Sequence, residues 1–148
     1  MTGMEIAPRP TRRRSKRRTI MLVLLALLAA GLLLPQSRTM PVVGADRNSF
    51  AHDSFWFYPW GRSGTHKGID IFATKGTPIQ SAAGGIVLYA GPKEVGGNIV
   101  LVLGPKWRLF YYAHLDTIAV ERGAFVVRGE HLGTVGNSGN AAGKPPHL

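Results

Sequence analysis

The stretch Thr65-His66-Lys67-Gly68-Ile69-Asp70-Ile71 sets an imidazole and a carboxylate four residues apart around a glycine. Both side chains are ligands for a borderline divalent metal ion. On a straight strand, residues at this spacing share a face but stand ~13 Å apart at ~3.3 Å per residue, too far for one ion. On a helix they would be neighbours. A helix is disfavoured here, because Gly68 and the β-branched Ile69 and Ile71 are weak helix formers and no helical periodicity follows. A bend at Gly68 would fold His66 and Asp70 toward a common point. The competing reading is a surface turn in which His66 is solvated and Asp70 caps nearby backbone.

Four further histidines are weighed by position. His114 ends the aromatic run Trp107-Arg108-Leu109-Phe110-Tyr111-Tyr112-Ala113, where a strand can project it into a cleft. His147 follows a glycine-rich loop and the stiff pair Pro145-Pro146. Taken singly, each is equally a structural histidine. His52, in a loop, and His131, beside Glu130, read as exposed and inert.

The elements that must position these groups are mainly strands. With 148 residues and 16.0 kDa there is room for one folded unit. Nineteen glycines and ten prolines among β-branched and aromatic residues favour short strands and many turns. Strands are expected over 77–82, 84–91, 99–103, 107–115, 125–127 and 132–136, with a connector at 116–124 that has room for one helical turn. The short spacings imply antiparallel pairing. Ile99-Val100-Leu101-Val102-Leu103 is apolar on both faces and so is expected at the centre of its sheet.

The net charge of +10 divides unevenly along the chain. Residues 1–18 hold seven Arg or Lys against one Glu, so +6 lies there and +4 on the rest. The folded part is mildly basic and carries no nucleic-acid signature. No cysteine is present, which excludes disulfides, thiolate ligands and a lipid anchor through Cys. Residues 1–18 read as a basic cytoplasmic tip, 19–34 as a transmembrane or signal-anchor helix, 35–54 as a tether and 55–148 as the folded domain. The apolar run Ile20 to Leu34 is 15 residues, short of the ~20 that cross a bilayer unaided. Snorkelling by Arg18 can extend it. A cleaved secretory signal is the alternative, and either way the domain lies outside the cytoplasm, tethered or secreted. Phe55-Trp56-Phe57-Tyr58-Pro59-Trp60 reads as an aromatic flap packed on the domain, or as a groove wall.

Taken in order, HKGID, GTPIQSAAGGIVLYAG, GNIVLVL, FYYAHL, LGTVGNSGN and PPHL resemble the lysostaphin/LytM-type zinc metallopeptidases, which are peptidoglycan endopeptidases. The resemblance covers roughly residues 60–148. It implies that His66 and Asp70 bind Zn2+, that His114 and His147 are catalytic, and that a second zinc-binding histidine falls one position beyond Leu148. The sequence is therefore expected to be cut inside that motif, and a chain ending there to bind zinc poorly. The fold implied is mostly β, an antiparallel two-sheet sandwich or barrel-like peptidase domain behind an N-terminal membrane-spanning helix. The implied function is hydrolysis of peptide bonds in bacterial cell-wall peptidoglycan. In that reading zinc polarises the scissile carbonyl and acidifies water. The histidines orient that water and carry a proton to the departing amine. Two alternatives stand beside it: a non-catalytic LytM-type regulator that activates cell-wall amidases, and a peptidoglycan-binding module using Trp56, Tyr58 and Trp60.

Overall fold

The computed structural model describes residues 12–61 and 64–148. Most of the basic tip expected over 1–18 therefore lies outside the described residues. The helix expected over 19–34 is present as α1 (Arg12–Leu33) and starts earlier. Its apolar part, Ile20 to Leu33, is 14 residues, or ~21 Å at ~1.5 Å per residue against a hydrocarbon core of ~30 Å. Among the described residues no helix is long and apolar enough to cross a membrane.

Beyond the helix the chain is mostly β, in two antiparallel sheets. The strands are β1 (Pro78–Gln80), β2 (Gly85–Lys93), β3 (Gly97–Leu103), β4 (Leu109–Leu115), β5 (Thr117–Ile118), β6 (Phe125–Val126) and β7 (His131–Thr134). One sheet runs β4-β3-β2-β6 and the other β1-β7-β5. β3 lies between β2 and β4, as its two apolar faces require, and buries Ile99, Val100 and Val102.

Three local expectations differ. The strands predicted at 77–82 and 84–91 do not pair with each other: β1 pairs with β7, whereas β2 pairs with β3 and β6. Ser81 and Ala83, buried between them, let the chain step from one sheet to the other. The connector at 116–124 holds β5 instead of a helical turn. Trp107 is not in β4 but in the turn before it, where Lys106 and Trp107 take left-handed backbone with φ of 61° and 57°.

The core is formed by Val42, Ile71, Ile79, Val87, Val100, Val102, Tyr112, Leu115, Val126, Leu132 and Val135. Val42 comes from the segment expected as a tether, which is bound to the β1 region. The Gln80 amide donates to Pro41 O at 2.7 Å and Val43 N–H to Pro78 O at 3.1 Å. The chain end packs in the same way. Ile71 and Leu148 exchange main-chain bonds of 2.9 and 3.0 Å, and His147 bridges Phe72 and Gly136.

Leu115 is fully buried where β4 leaves for the second sheet. Leu115→Ala should lower unfolding free energy by about 2–5 kcal/mol in denaturant titration. A loss below ~1 kcal/mol would contradict this packing.

Candidate functional site

The pentad folds back on itself. His66 N–H donates to Phe57 O at 3.0 Å and Trp56 N–H to His66 O at 2.7 Å, which pins the loop to the aromatic segment. His66 Nε2 then lies 3.3 Å from Asp70 Oδ1. A Cβ at Gly68 would make only ordinary contact with His66 Nε2, at 3.5 Å, so the bend does not depend on glycine for space.

Ser54 holds both groups. The His66 Nδ1–H donates to Ser54 O at 2.8 Å, and the Asp70 amide donates to Ser54 Oγ at 3.1 Å. Ser54 Oγ in turn donates to Ala51 O at 2.8 Å. A carbonyl can only accept, so Nδ1 carries a proton, and in the neutral ring the Nε2 lone pair faces Asp70. A metal-ligating histidine is oriented by this same kind of bond on its other nitrogen. The donor pair thus suits a cation, and zinc would be held by His66 Nε2 and the Asp70 carboxylate. Among the described residues no group of three or more His, Asp or Glu side chains is placed to hold a metal ion.

His114 and His147 line the same cavity, with ring centroids 5.0 Å apart. His114 is left-handed at φ 62°, a conformation that costs a non-glycine residue about 1–3 kcal/mol and is tolerated where surrounding bonds enforce it. Here its amide donates to Gly96 O at 2.8 Å and its Nδ1–H to Ser138 O at 2.9 Å. Ser138 is fixed in turn: its Oγ donates to Leu115 O at 2.8 Å and accepts from Asn98 N–H at 2.9 Å. Only glycine serves at position 97, which has φ +65° and where a Cβ would fall 2.3 Å from Ser138 Oγ. His147, 7% exposed, donates Nδ1–H to Pro145 O at 2.7 Å and rests on Phe72. All three rings therefore turn their Nε2 lone pairs to the side away from the main-chain carbonyl.

The cavity has a volume of about 550 Å³. Trp60 and Lys144 stand on its wall, with Trp60 stacked on His66 at 4.3 Å between centroids. The rings of Phe55, Trp56, Phe57 and Tyr58 are half-exposed or more, so it is the flap's backbone that packs on the domain. His52 and His131 are exposed and lie outside the cavity. Sequence reasoning missed Ser54 and Ser138. Each acts partly through its carbonyl, which no residue type announces.

Burial pushes the His114 imidazole below its ordinary value. The Ser138 carbonyl and Asp70 oppose this, while His147 and Lys144 add to it. The unfolded chain then takes up a proton near pH ~6.5 that the folded chain refuses, so stability falls as pH drops below that value. His114→Gln should flatten this decline in thermal melts of the metal-free chain between pH 7 and pH 5; an unchanged slope would refute the assignment.

The chain is similar to several known proteins. The chain is 39% identical over 80 residues to the uncharacterised lipoprotein YgeR of Escherichia coli, covering 53% of this chain and 32% of that protein. It is 33% identical over 87 residues to the peptidoglycan DD-endopeptidase ShyA of Vibrio cholerae, covering 59% and 20%. It is 38% identical over 80 residues to the murein hydrolase activator NlpD of Salmonella dublin, covering 53% and 21%. The chain thus spans a third or less of the length of these relatives. Among solved structures, the catalytic domain of lysostaphin from Staphylococcus simulans superposes with a TM-score of 0.59 at 31% identity, over 64% of this chain and 72% of that one. A zinc-containing peptidase from Vibrio cholerae superposes with a TM-score of 0.61 at 27% identity, over 77% and 35%. Residues 64–148 match Peptidase family M23, more than half of the chain, and the chain belongs to that family.

Proposed function

We propose that the protein carrying this domain is a zinc-dependent endopeptidase that hydrolyses peptide bonds in bacterial cell-wall peptidoglycan. The observation that carries the reading is the 3.3 Å convergence of His66 Nε2 and Asp70 Oδ1 in one cavity with the His114–His147 pair. When bound, zinc supplies Lewis acidity that polarises the scissile carbonyl and lowers the pKa of water. His114, kept neutral by burial, accepts a proton from the attacking water through Nε2. His147 stands 5.0 Å from it, ring to ring, and serves the developing oxyanion or the departing amine. The similarity to ShyA and to lysostaphin supports a cell-wall peptide as substrate.

The helix adds a location. Ile20, Met21, Leu22, Val23, Leu24 and Leu25 are all about half-exposed or more, so over residues 20–25 consecutive side chains leave the helix apolar and uncovered by protein. Lys16, Arg17 and Arg18 precede them. A membrane anchor with the domain on the far side from these cations accounts for both features.

The similarity to NlpD favours a second reading, a non-catalytic regulator of cell-wall amidases. Zinc titration and digestion of purified sacculi separate the two. Asp70→Ala should abolish both zinc binding and release of soluble peptide. His114→Ala should keep zinc but slow turnover ~10²- to 10⁴-fold. Full turnover by Asp70→Ala would exclude the proposed site, and zinc-independent stimulation of an amidase without peptide release would favour the regulator. Ser54→Ala, which removes the acceptor of the Asp70 amide, should weaken zinc ~10- to 100-fold in the same titration.

A further inference from the structure

The turn between β3 and β4 is bonded to the end of the N-terminal helix. Trp107 Nε1–H donates to Leu28 O at 3.0 Å, and its ring lies on Gly31, where a Cβ would come 2.3 Å from the indole. Immediately past the apolar run, Gln36 Oε1 accepts from Arg108 Nη1 at 2.8 Å and from Arg38 Nη2 at 2.9 Å. Two guanidinium nitrogens that share one acceptor stand within about 6 Å of each other. Residues 35–38 and 104–109 carry Arg38, Lys106 and Arg108 and no acidic residue. Gln36 Nε2 is buried and has no partner, the one such side-chain atom among the described residues. Two exposed guanidinium groups held beside each other by one buried amide form a receptor for a phosphate, whose oxygens accept from the N–H groups that Gln36 leaves free on both.

We infer that Arg38 and Arg108, paired through Gln36, bind the phosphate of an anionic phospholipid headgroup, with Trp107 inserted at the membrane interface beside α1. The inference rests on the membrane anchoring proposed above. A headgroup is favoured over a free anion because the site adjoins the uncovered apolar surface of α1 and holds an indole, the side chain enriched at that depth. The contact would also fix the site's reach. β4 runs from this turn to His114, seven residues beyond Trp107, so the cavity would stand at most ~23 Å above the headgroups.

The test uses the whole chain with phosphatidylcholine vesicles, with and without phosphatidylglycerol, in a Trp56→Phe, Trp60→Phe background so that Trp107 alone emits. Trp107 should be quenched by lipids brominated near the headgroup. The chain should prefer the anionic vesicles, and Arg38→Gln with Arg108→Gln should cut that partition ~10- to 30-fold while binding to neutral vesicles through α1 persists. Gly31→Leu should free Trp107 from the helix and lessen its quenching. Unchanged partition of the double glutamine variant, or unquenched Trp107 in a chain that co-sediments with vesicles, overturns the headgroup site alone. Equal competition by inorganic phosphate assigns the pair to a free anion and overturns it as well. A chain that sediments with neither vesicle overturns the anchor and the site together.

Discussion

Three main-chain carbonyls, those of Ser54, Ser138 and Pro145, each take the Nδ1 proton of a cavity histidine. Everything proposed for the site depends on that constraint. A free imidazole samples two tautomers and many rotamers, whereas a ring held by Nδ1 has one nitrogen left and one direction for its lone pair. The carbonyls belong to two segments, the loop before β1 that holds Ser54 and the stretch after β7 that holds Ser138 and Pro145, so the arrangement lasts only as long as the sheets hold those segments in register. The Ile71–Leu148 pair and the bridges from His147 to Phe72 and Gly136 tie the two segments together. Ser138 ties the second to the start of β3 and the end of β4.

The sequence carried the sheet centre and the site's ingredients well, because both rest on residue type. Five consecutive apolar residues at 99–103 can lie only in a strand covered on both faces, and β3 is that strand. The spacing of His66 and Asp70 around Gly68 demanded a bend if they were to meet, and they meet. What was hidden depends on tertiary bonds. Ser54 and Ser138 act through carbonyl and hydroxyl groups whose partners are 12 to 40 residues away. The left-handed backbone at His114 and Trp107 contradicts local propensity and is enforced by hydrogen bonds that no window of sequence contains. The move of β1 into the other sheet follows from burial of Ser81 and Ala83, small residues that read equally well as a hairpin turn. Val42, expected in a tether, is wholly buried because the β1 edge needed a partner.

The family's relatives include both an endopeptidase and an activator, so membership alone does not decide whether this chain cuts. The decision lies in a few atoms. A carboxylate and an imidazole that converge without a cation between them gain little, since both are partly solvated. In the proposed reading a divalent cation would turn them into ligands, beside a part-buried His114 whose imidazole burial keeps below its ordinary value.

Histidine tautomers read by long-range proton–nitrogen NMR, before and after zinc, test the central claim most directly. The account predicts that His66, His114 and His147 all carry the proton on Nδ1 in the metal-free chain at neutral pH, and that zinc shifts His66 Nε2 as a directly ligated nitrogen. A proton on Nε2 of His66, or a His66 spectrum indifferent to zinc, would contradict it.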